Sequence, residues 1–129
     1  NAERTFWEKA TILHQYAHLP ETKELPPRIS RHLYDFFCLL QSDVKAKALA
    51  NPALLIRVAK HKSVYFASKW ASYETAKKGT LNLYPPNRML KALEEDYHQM
   101  KEMFFGEIPK WEQMLKTIKI FEREFNAIA

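Results

Sequence analysis

The sequence contains little glycine. Its 129 residues include two glycines, Gly79 and Gly106, whereas average usage of about 7% would give roughly nine. Dinucleotide fingerprints and Walker loops need clustered glycines so that the main chain can approach phosphate groups. The two glycines lie far apart in the chain, and the sequence therefore excludes both classes of phosphate-binding loop.

Cysteine and long apolar runs are also scarce. The single cysteine, Cys38, has no partner for a disulfide within the chain, which favours a cytoplasmic protein over an oxidised secreted scaffold. Cys38 lies within the apolar run 36–40, so we expect its thiol to be buried and unreactive. No apolar run approaches the ~18 residues of a membrane span, and we expect no membrane partner.

Positive charge is concentrated in the middle of the chain. The net charge is +5, and the segment 43–80 contains eight lysines or arginines and two acidic residues, so the rest of the chain is close to neutral. A solvated basic surface and a contact surface for a polyanion such as RNA both fit this pattern. The candidate RNA-binding residues in the segment are Arg57, Lys60, Lys62 and Lys69.

Proline and capping residues divide the sequence into helices. Thr5 and Glu8 fit a capping box that would begin the first helix, and Pro20 would end it. Further helices are predicted over 29–41, over 44–49, from the start signal Asn51-Pro52, from about 87 to Gly106, and from Pro109 onward. The sequence thus predicts an all-α fold, an irregular bundle of about five helices with a short extended segment near 80–84.

Apolar residues recur at three- and four-residue spacing within each helix, which is typical of one buried face. The predicted buried stripes comprise Phe6, Ala10, Leu13 and Ala17; Leu33, Phe36, Phe37 and Leu40; Leu55, Val58, Tyr65 and Phe66; Leu90, Leu93, Tyr97, Met100 and Phe104; and Met114, Ile118, Phe121 and Phe125. Trp70 and Tyr73 extend an aromatic patch beyond the third stripe.

Four polar residues fall on one face of the second helix, opposite its apolar stripe: Arg28, Arg31, His32 and Asp35. A polar stripe on an amphipathic helix is commonly just the solvated face. Two guanidinium groups backed by a carboxylate could also hold a phosphate group in fixed geometry. The residue pattern alone leaves both interpretations open.

His14 and His18 lie four residues apart on the first helix, a spacing at which two histidines can bind one metal ion. A zincin motif would place Glu directly after the first histidine, where this chain has Gln15. No third ligand is evident. We therefore predict no metal site, and a metal-dependent hydrolase built on this pair is retained only as an alternative.

Two segments resemble motifs of a known enzyme family. Residues 3–14 (ERTFWEKATILH) and 28–35 (RISRHLYD) resemble the third and fourth motifs of the AbiEii/AbiGii nucleotidyltransferase toxins, which belong to type IV toxin–antitoxin and phage abortive-infection systems. The segments 70–73, 79–81 and 96–100 resemble one branch of that family. The likeness covers most of the chain.

The resemblance implies that residues 3–129 form the helical C-terminal domain of a larger, polymerase-β-like nucleotidyltransferase, while residues 1–2 fit the remnant of an expression tag. It implies that Lys9, Arg28 and Arg31 bind the nucleoside triphosphate and that Lys9 and Asp35 are catalytic. His32 departs from the family pattern, in which many relatives have Asp at this position.

The implied activity is metal-dependent nucleotidyl transfer, with RNA as the expected acceptor. The family's N-terminal half carries a Gly-Ser loop and an Asp-x-Asp pair for magnesium, and neither occurs in this sequence. Magnesium and the nucleoside triphosphate are therefore expected to be bound by the full-length parent and not by this chain alone, which is expected to be inactive. No stable antitoxin complex is expected. The alternative is a non-enzymatic helical module that binds RNA or protein through the basic segment 43–80.

Overall fold

A computed structural model describes residues 1–65, 69–102 and 107–128 of the chain. These residues contain six α-helices: α1 Ala2–Ala17, α2 Ile29–Leu40, α3 Val44–Leu49, α4 Ala53–Tyr65, α5 Asn87–Lys101 and α6 Trp111–Ala127. Two short 3-10 turns, Lys69–Ala71 and Tyr73–Thr75, follow α4. The described residues form no strand, and the predicted all-α fold is confirmed.

The first helix begins earlier than the sequence predicts. The side-chain oxygen of Asn1 accepts the main-chain N–H of Arg4 at 2.8 Å and caps α1, so the helix includes Thr5 in its first turns. The Thr5 hydroxyl donates to the carbonyl of Asn1 at 3.2 Å instead of capping a later amide. The predicted capping box of Thr5 and Glu8 is therefore wrong, because a better cap lies four residues upstream.

The core is centred on α1, which packs against α2, α3 and α4. Its Trp7 side chain is completely buried, packs on Phe125 of α6 with ring centroids 5.3 Å apart, and donates its indole N–H to the carbonyl of Ala48 at 3.2 Å. That hydrogen bond satisfies the one polar atom of the buried ring. Trp7 therefore links α1, near the start of the chain, to α6, near its end.

Most residues of the predicted apolar stripes are buried, but several residues that were expected to be buried are exposed or half-buried. Cys38 is exposed, because it lies two residues after the buried Phe36 and so points about 160° away from it on the helix. Tyr65, the last residue of α4, is 70% exposed and its ring contacts that of His61, with centroids 4.6 Å apart. Residues that are half-buried comprise Ala17, Phe37, Trp70 and Leu90. Phe66, Phe104 and Gly106 lie outside the described residues.

The segment 81–84 is extended but pairs with no strand. Leu81 and Leu83 are buried and alternate with half-buried neighbours, as their spacing predicts. Three of the segment's main-chain N–H groups donate to side chains of α6: Leu81 to Asn126 Oδ1 at 3.2 Å, and Leu83 and Tyr84 to Glu122 Oε2 at 2.9 and 2.7 Å. Side-chain acceptors thus take the place of a neighbouring strand. Among the described helices, none has the length and apolar character needed to cross a membrane.

Candidate functional site

Lys9 and Arg31 bind the same carboxylate through opposite oxygens. The Nζ atom of Lys9 on α1 lies 3.1 Å from Oδ2 of Asp35 on α2, and the Nε atom of Arg31 lies 3.1 Å from Oδ1. The side chains of Lys9 and Asp35 are 24% and 27% exposed, which places the group at the edge of the core. We call these three residues, together with His32, the Asp35 cluster.

Aromatic packing beneath the Asp35 cluster holds its two helices in register. Phe6 lies one turn before Lys9, and its ring centroid is 5.0 Å from that of Phe36, the neighbour of Asp35. Both rings also contact Phe121 of α6, at 5.6 and 5.7 Å. Because all three rings are buried, α1 and α2 cannot slide past each other without opening the core. The separation of Lys9 and Asp35 is therefore set by packing.

His32 acts as a hydrogen-bond acceptor within the cluster. Its Nδ1 atom lies 3.4 Å from Nζ of Lys9, and since an ammonium group can only donate, the ring proton is on Nε2. Burial lowers the pKa of His32 from 6.5, and the Lys9 ammonium lowers it further, while Asp35 opposes the change. The imidazole is therefore neutral at pH 7, and Lys9 is oriented by two acceptors.

Arg28 lies one turn before Arg31 but does not join the cluster. Its carbonyl accepts the N–H of Arg31 at 3.1 Å, and its φ of 67° is in the left-handed region that favours glycine. Within the part of the chain that the structure describes, the guanidinium of Arg28 forms no ion pair. Arg28 is thus an exposed cation at the start of α2, and its main chain is in a strained conformation.

Asp96 of α5 caps the start of α2. Its Oδ1 accepts the N–H of Arg28 at 3.0 Å, and its Oδ2 accepts the N–H and the hydroxyl of Ser30 at 3.0 and 2.5 Å. Asp96 begins the family-like segment 96–100, but the resemblance implies no role for it, because a cap supplied by a distant helix has no signature in the local pattern. Since the carboxylate occupies these amides, binding of an anion at this end of α2 depends on side chains.

The four predicted RNA-binding residues do not share one surface. Arg57 and Lys60 are exposed on the outer side of α4. Lys62 is half-buried and follows the buried Val58 by one turn, so it lies on the inner side of α4. The side chain of Lys69 lies outside what the structure describes.

The histidine pair of α1 is structural. His14 is fully buried, its Nδ1 accepts the N–H of Asn82 at 2.9 Å, and its Nε2 donates to the carbonyl of Ser72 at 2.9 Å. Nδ1 of His18 lies 2.7 Å from the carbonyl of His14. Both ring nitrogens of His14 are engaged, so neither offers a lone pair to a metal ion. The geometry removes the metal-dependent hydrolase as an alternative.

The described residues do not fit a magnesium centre. Within residues 1–65, 69–102 and 107–128, no group of three or more His, Cys, Asp or Glu side chains could hold a metal ion. Asp35, the acidic residue of the candidate site, already binds one cation with each oxygen. We therefore assign no reaction step to a metal held by these residues.

The model of one protein family, the nucleotidyl transferase AbiEii toxin of type IV toxin–antitoxin systems, matches residues 1–117. The chain belongs to this family. The match spans the Asp35 cluster, Arg28 and Asp96, and it confirms the resemblance stated for the segments 3–14 and 28–35. No curated protein and no solved structure matches the chain significantly. The family is one of nucleotidyltransferase toxins. The roles of single residues in this chain stay predictions.

Proposed function

We propose that this AbiEii-family chain supplies the triphosphate-binding residues of a metal-dependent nucleotidyltransferase that acts on RNA in the cytoplasm. In this proposal Lys9, Arg28 and Arg31 bind the nucleoside triphosphate. Of the two residues expected to be catalytic, Lys9 faces the triphosphate and Asp35 positions Lys9 and Arg31. The observation that carries the proposal is the Asp35 cluster, where cations from two helices meet at one carboxylate. Phosphate oxygens accept from the same ammonium and guanidinium groups as a carboxylate does.

Asp35 orients cations in this proposal and does not act as a base. Both of its oxygens accept from a cation, which leaves no free oxygen directed at a reacting hydroxyl. An incoming triphosphate accepts hydrogen bonds from Lys9 and Arg31, either together with Asp35 or in its place. Both cations then face phosphate oxygens. During in-line attack of an acceptor hydroxyl on the α-phosphorus, Lys9 and Arg28 neutralise the charge that develops on the departing pyrophosphate.

We further propose that residues 3–129 are one helical domain of a larger enzyme whose metal-binding carboxylates lie outside this chain. The lack of a fitting carboxylate group among the described residues supports this division. The chain alone should then hold neither magnesium nor nucleoside triphosphate and should be inactive. Magnesium-dependent label transfer by the isolated 129-residue chain would contradict this part of the proposal.

The test uses the full gene product that contains this chain. Transfer of label from each of the four α-labelled nucleoside triphosphates to small RNA is measured with magnesium present. Lys9→Gln should lower kcat/KM by about a hundredfold, because a charge that faces the triphosphate is lost. Lys45→Gln is the matched control, since Lys45 is also partly buried and ion-paired, with Glu124 at 3.9 Å. Equal activity of the Lys9 variant and the control would overturn the proposal.

A second candidate is a non-enzymatic helical module that binds RNA through Arg57 and Lys60, which are exposed on the outer side of α4. Binding through phosphate contacts weakens steeply as salt concentration rises. A salt titration of RNA binding therefore distinguishes the two functions. Tight, salt-dependent binding that is lost in Arg57→Gln and Lys60→Gln but unaffected by Lys9→Ala and Arg28→Ala would favour the module.

A further inference from the structure

We propose that Lys62 is a further cation of the triphosphate site, supplied by a third helix, and that it does not belong to an RNA-binding surface. This inference rests on the proposed function of the Asp35 cluster. It adds α4 to α1 and α2 as an element that contributes to the site. Three separate observations support it: the position of Lys62 on its helix, its charged neighbours, and its separation from Lys60.

The position of Lys62 on α4 directs it towards the core side. Leu55 and Val58 are buried, and Lys62 follows them by seven and four residues, which places all three on one helical face. This helix packs against α1, the helix that carries Lys9. A lysine at such a position lays its aliphatic stem against apolar neighbours and brings its ammonium to the edge of the core.

The charged neighbours of Lys62 belong to the candidate site. Its ammonium interacts electrostatically with Glu8 and Lys9 of α1, and it acts on His32 of α2 as well. Burial lowers the pKa of Lys62, Glu8 raises it, and Lys9 lowers it again. Lys62 and Lys9 are therefore close enough for their positive charges to repel each other.

Among the described residues that these contacts connect, cations outnumber carboxylates. The cations are Arg4, Lys9, Arg31 and Lys62, and the carboxylates are Glu8 and Asp35. Glu8 pairs with Arg4 at 3.0 Å and also acts on Lys62, and Asp35 pairs with two cations. A polyanion with several charges in a short span, such as a triphosphate, would balance the excess and relieve the repulsion between Lys9 and Lys62.

Lys60 provides the contrast within the same helix. It precedes Lys62 by two residues and so points about 160° away from it around α4. Lys60 is exposed, whereas Lys62 is half-buried. An RNA strand that follows the outer side of α4 would contact Lys60 and Arg57 but would not share Lys62 with them.

The experiment measures binding of inorganic tripolyphosphate to the full gene product by calorimetry at low salt. Lys62→Gln should weaken binding by about tenfold, the effect of losing one charge-assisted contact. Lys62→Arg should restore most of the affinity, because it keeps the charge. Lys60→Gln is the matched control and should change the affinity by less than about twofold. Thermal unfolding of each variant shows whether it is folded under the assay conditions.

The outcomes separate this inference from the function on which it rests. Binding that needs Lys9 but is unaffected by Lys62→Gln would overturn the inference alone. Equal losses of RNA affinity in Lys62→Gln and Lys60→Gln, with tripolyphosphate binding intact, would assign Lys62 to an RNA surface instead. Tripolyphosphate binding that needs both Lys9 and Lys62, without any nucleotidyl transfer, would overturn the proposed function but not the anion site. No binding by the wild-type protein would overturn both.

Discussion

Ser30 and Asp96 are joined by two hydrogen bonds, since one carboxylate oxygen of Asp96 accepts both the main-chain N–H and the hydroxyl of Ser30. The other oxygen accepts the N–H of Arg28. Through this contact α5 holds the first turn of α2, the helix that carries Arg31 and Asp35. The geometry of the candidate site therefore depends on a residue that touches none of the groups in the Asp35 cluster.

Removing the Asp96 carboxylate should destabilise the fold. Asp96→Ala leaves the amides of Arg28 and Ser30 without an acceptor, and we expect the free energy of unfolding to fall by about 2 kcal/mol. Urea unfolding followed by circular dichroism measures the change. Glu95→Ala is the control, because Glu95 is the exposed neighbour on the same helix. Similar losses in the two variants would show that the cap contributes nothing specific.

Replacing Arg28 by glycine should weaken tripolyphosphate binding without lowering the free energy of unfolding. The left-handed main chain of Arg28 is strained for any residue with a Cβ, so Arg28→Gly should leave the free energy of unfolding unchanged or raise it by up to about 1 kcal/mol. The same change at Arg31, inside α2, should lower stability by about 1 kcal/mol or more. If Arg28 binds phosphate, Arg28→Gly should still weaken tripolyphosphate binding. If Arg28→Gly is stable and binds tripolyphosphate as tightly as the wild type, Arg28 does not bind phosphate, and its strained main chain has no explanation in binding.

Asp35 should matter more for stability than a surface acid of the same type. Asp35→Ala leaves Lys9 and Arg31 without their shared counter-charge, and we expect a loss of about 1 kcal/mol in the free energy of unfolding. Asp43→Ala is the comparison, because the side chain of Asp43 is 80% exposed in its pair with Lys47. Its loss should stay within about 0.5 kcal/mol. A loss at Asp35 no larger than at Asp43 would contradict the coupling inferred for the cluster.

Stability should fall in acid because of His14. Burial lowers the pKa of His14 to about 4 from 6.5, so the unfolded chain binds the proton more readily than the folded chain. Neutral His14 therefore contributes to the free energy of unfolding, and this contribution is fully present above pH 6.5. It is lost as the pH falls towards 4, and the total loss is about 3 kcal/mol. The protonated ring could no longer accept the N–H of Asn82.

Urea unfolding across this pH range tests the contribution of His14. His14→Gln should flatten the rise of stability with pH between 4 and 6.5. The lowered pKa of His32 gives a contribution of the same sign that persists in the variant. His98→Gln is the control, because it removes an exposed histidine of α5 and leaves the buried ring of His14 in place. An identical slope in wild type and His14→Gln would exclude His14 as its origin.

The helices could be predicted because their signals are local. Proline positions and apolar spacing indicated each helix, and α3 begins and ends where the sequence predicts, at Val44 and Leu49. The start of α1 differs from the prediction because Asn1, and not Thr5, caps the helix. The exposure of Cys38 could have been read from the helical angle that separates it from Phe36, since a run of apolar residues cannot all face one side of a helix.

The candidate site was only partly predictable. The family resemblance drew attention to Lys9, Arg31 and Asp35, which the structure brings together across 26 residues of sequence between α1 and α2. Charge alone groups Lys62 with Lys60, although the spacing of Lys62 from Val58 indicates the inner face of α4. The contact of Asp96 with the start of α2 depends on how α5 packs, which no local pattern encodes.

The extended segment 81–84 has a consequence for association between molecules. A solitary β-like stretch usually presents a row of unsatisfied donors on which a foreign chain can align. Here Asn126, Glu122 and His14 occupy the amides of all four residues. The most strand-like piece of the described chain thus offers no donor row for cross-β growth, and resistance to that kind of aggregation follows from the helices that enclose it.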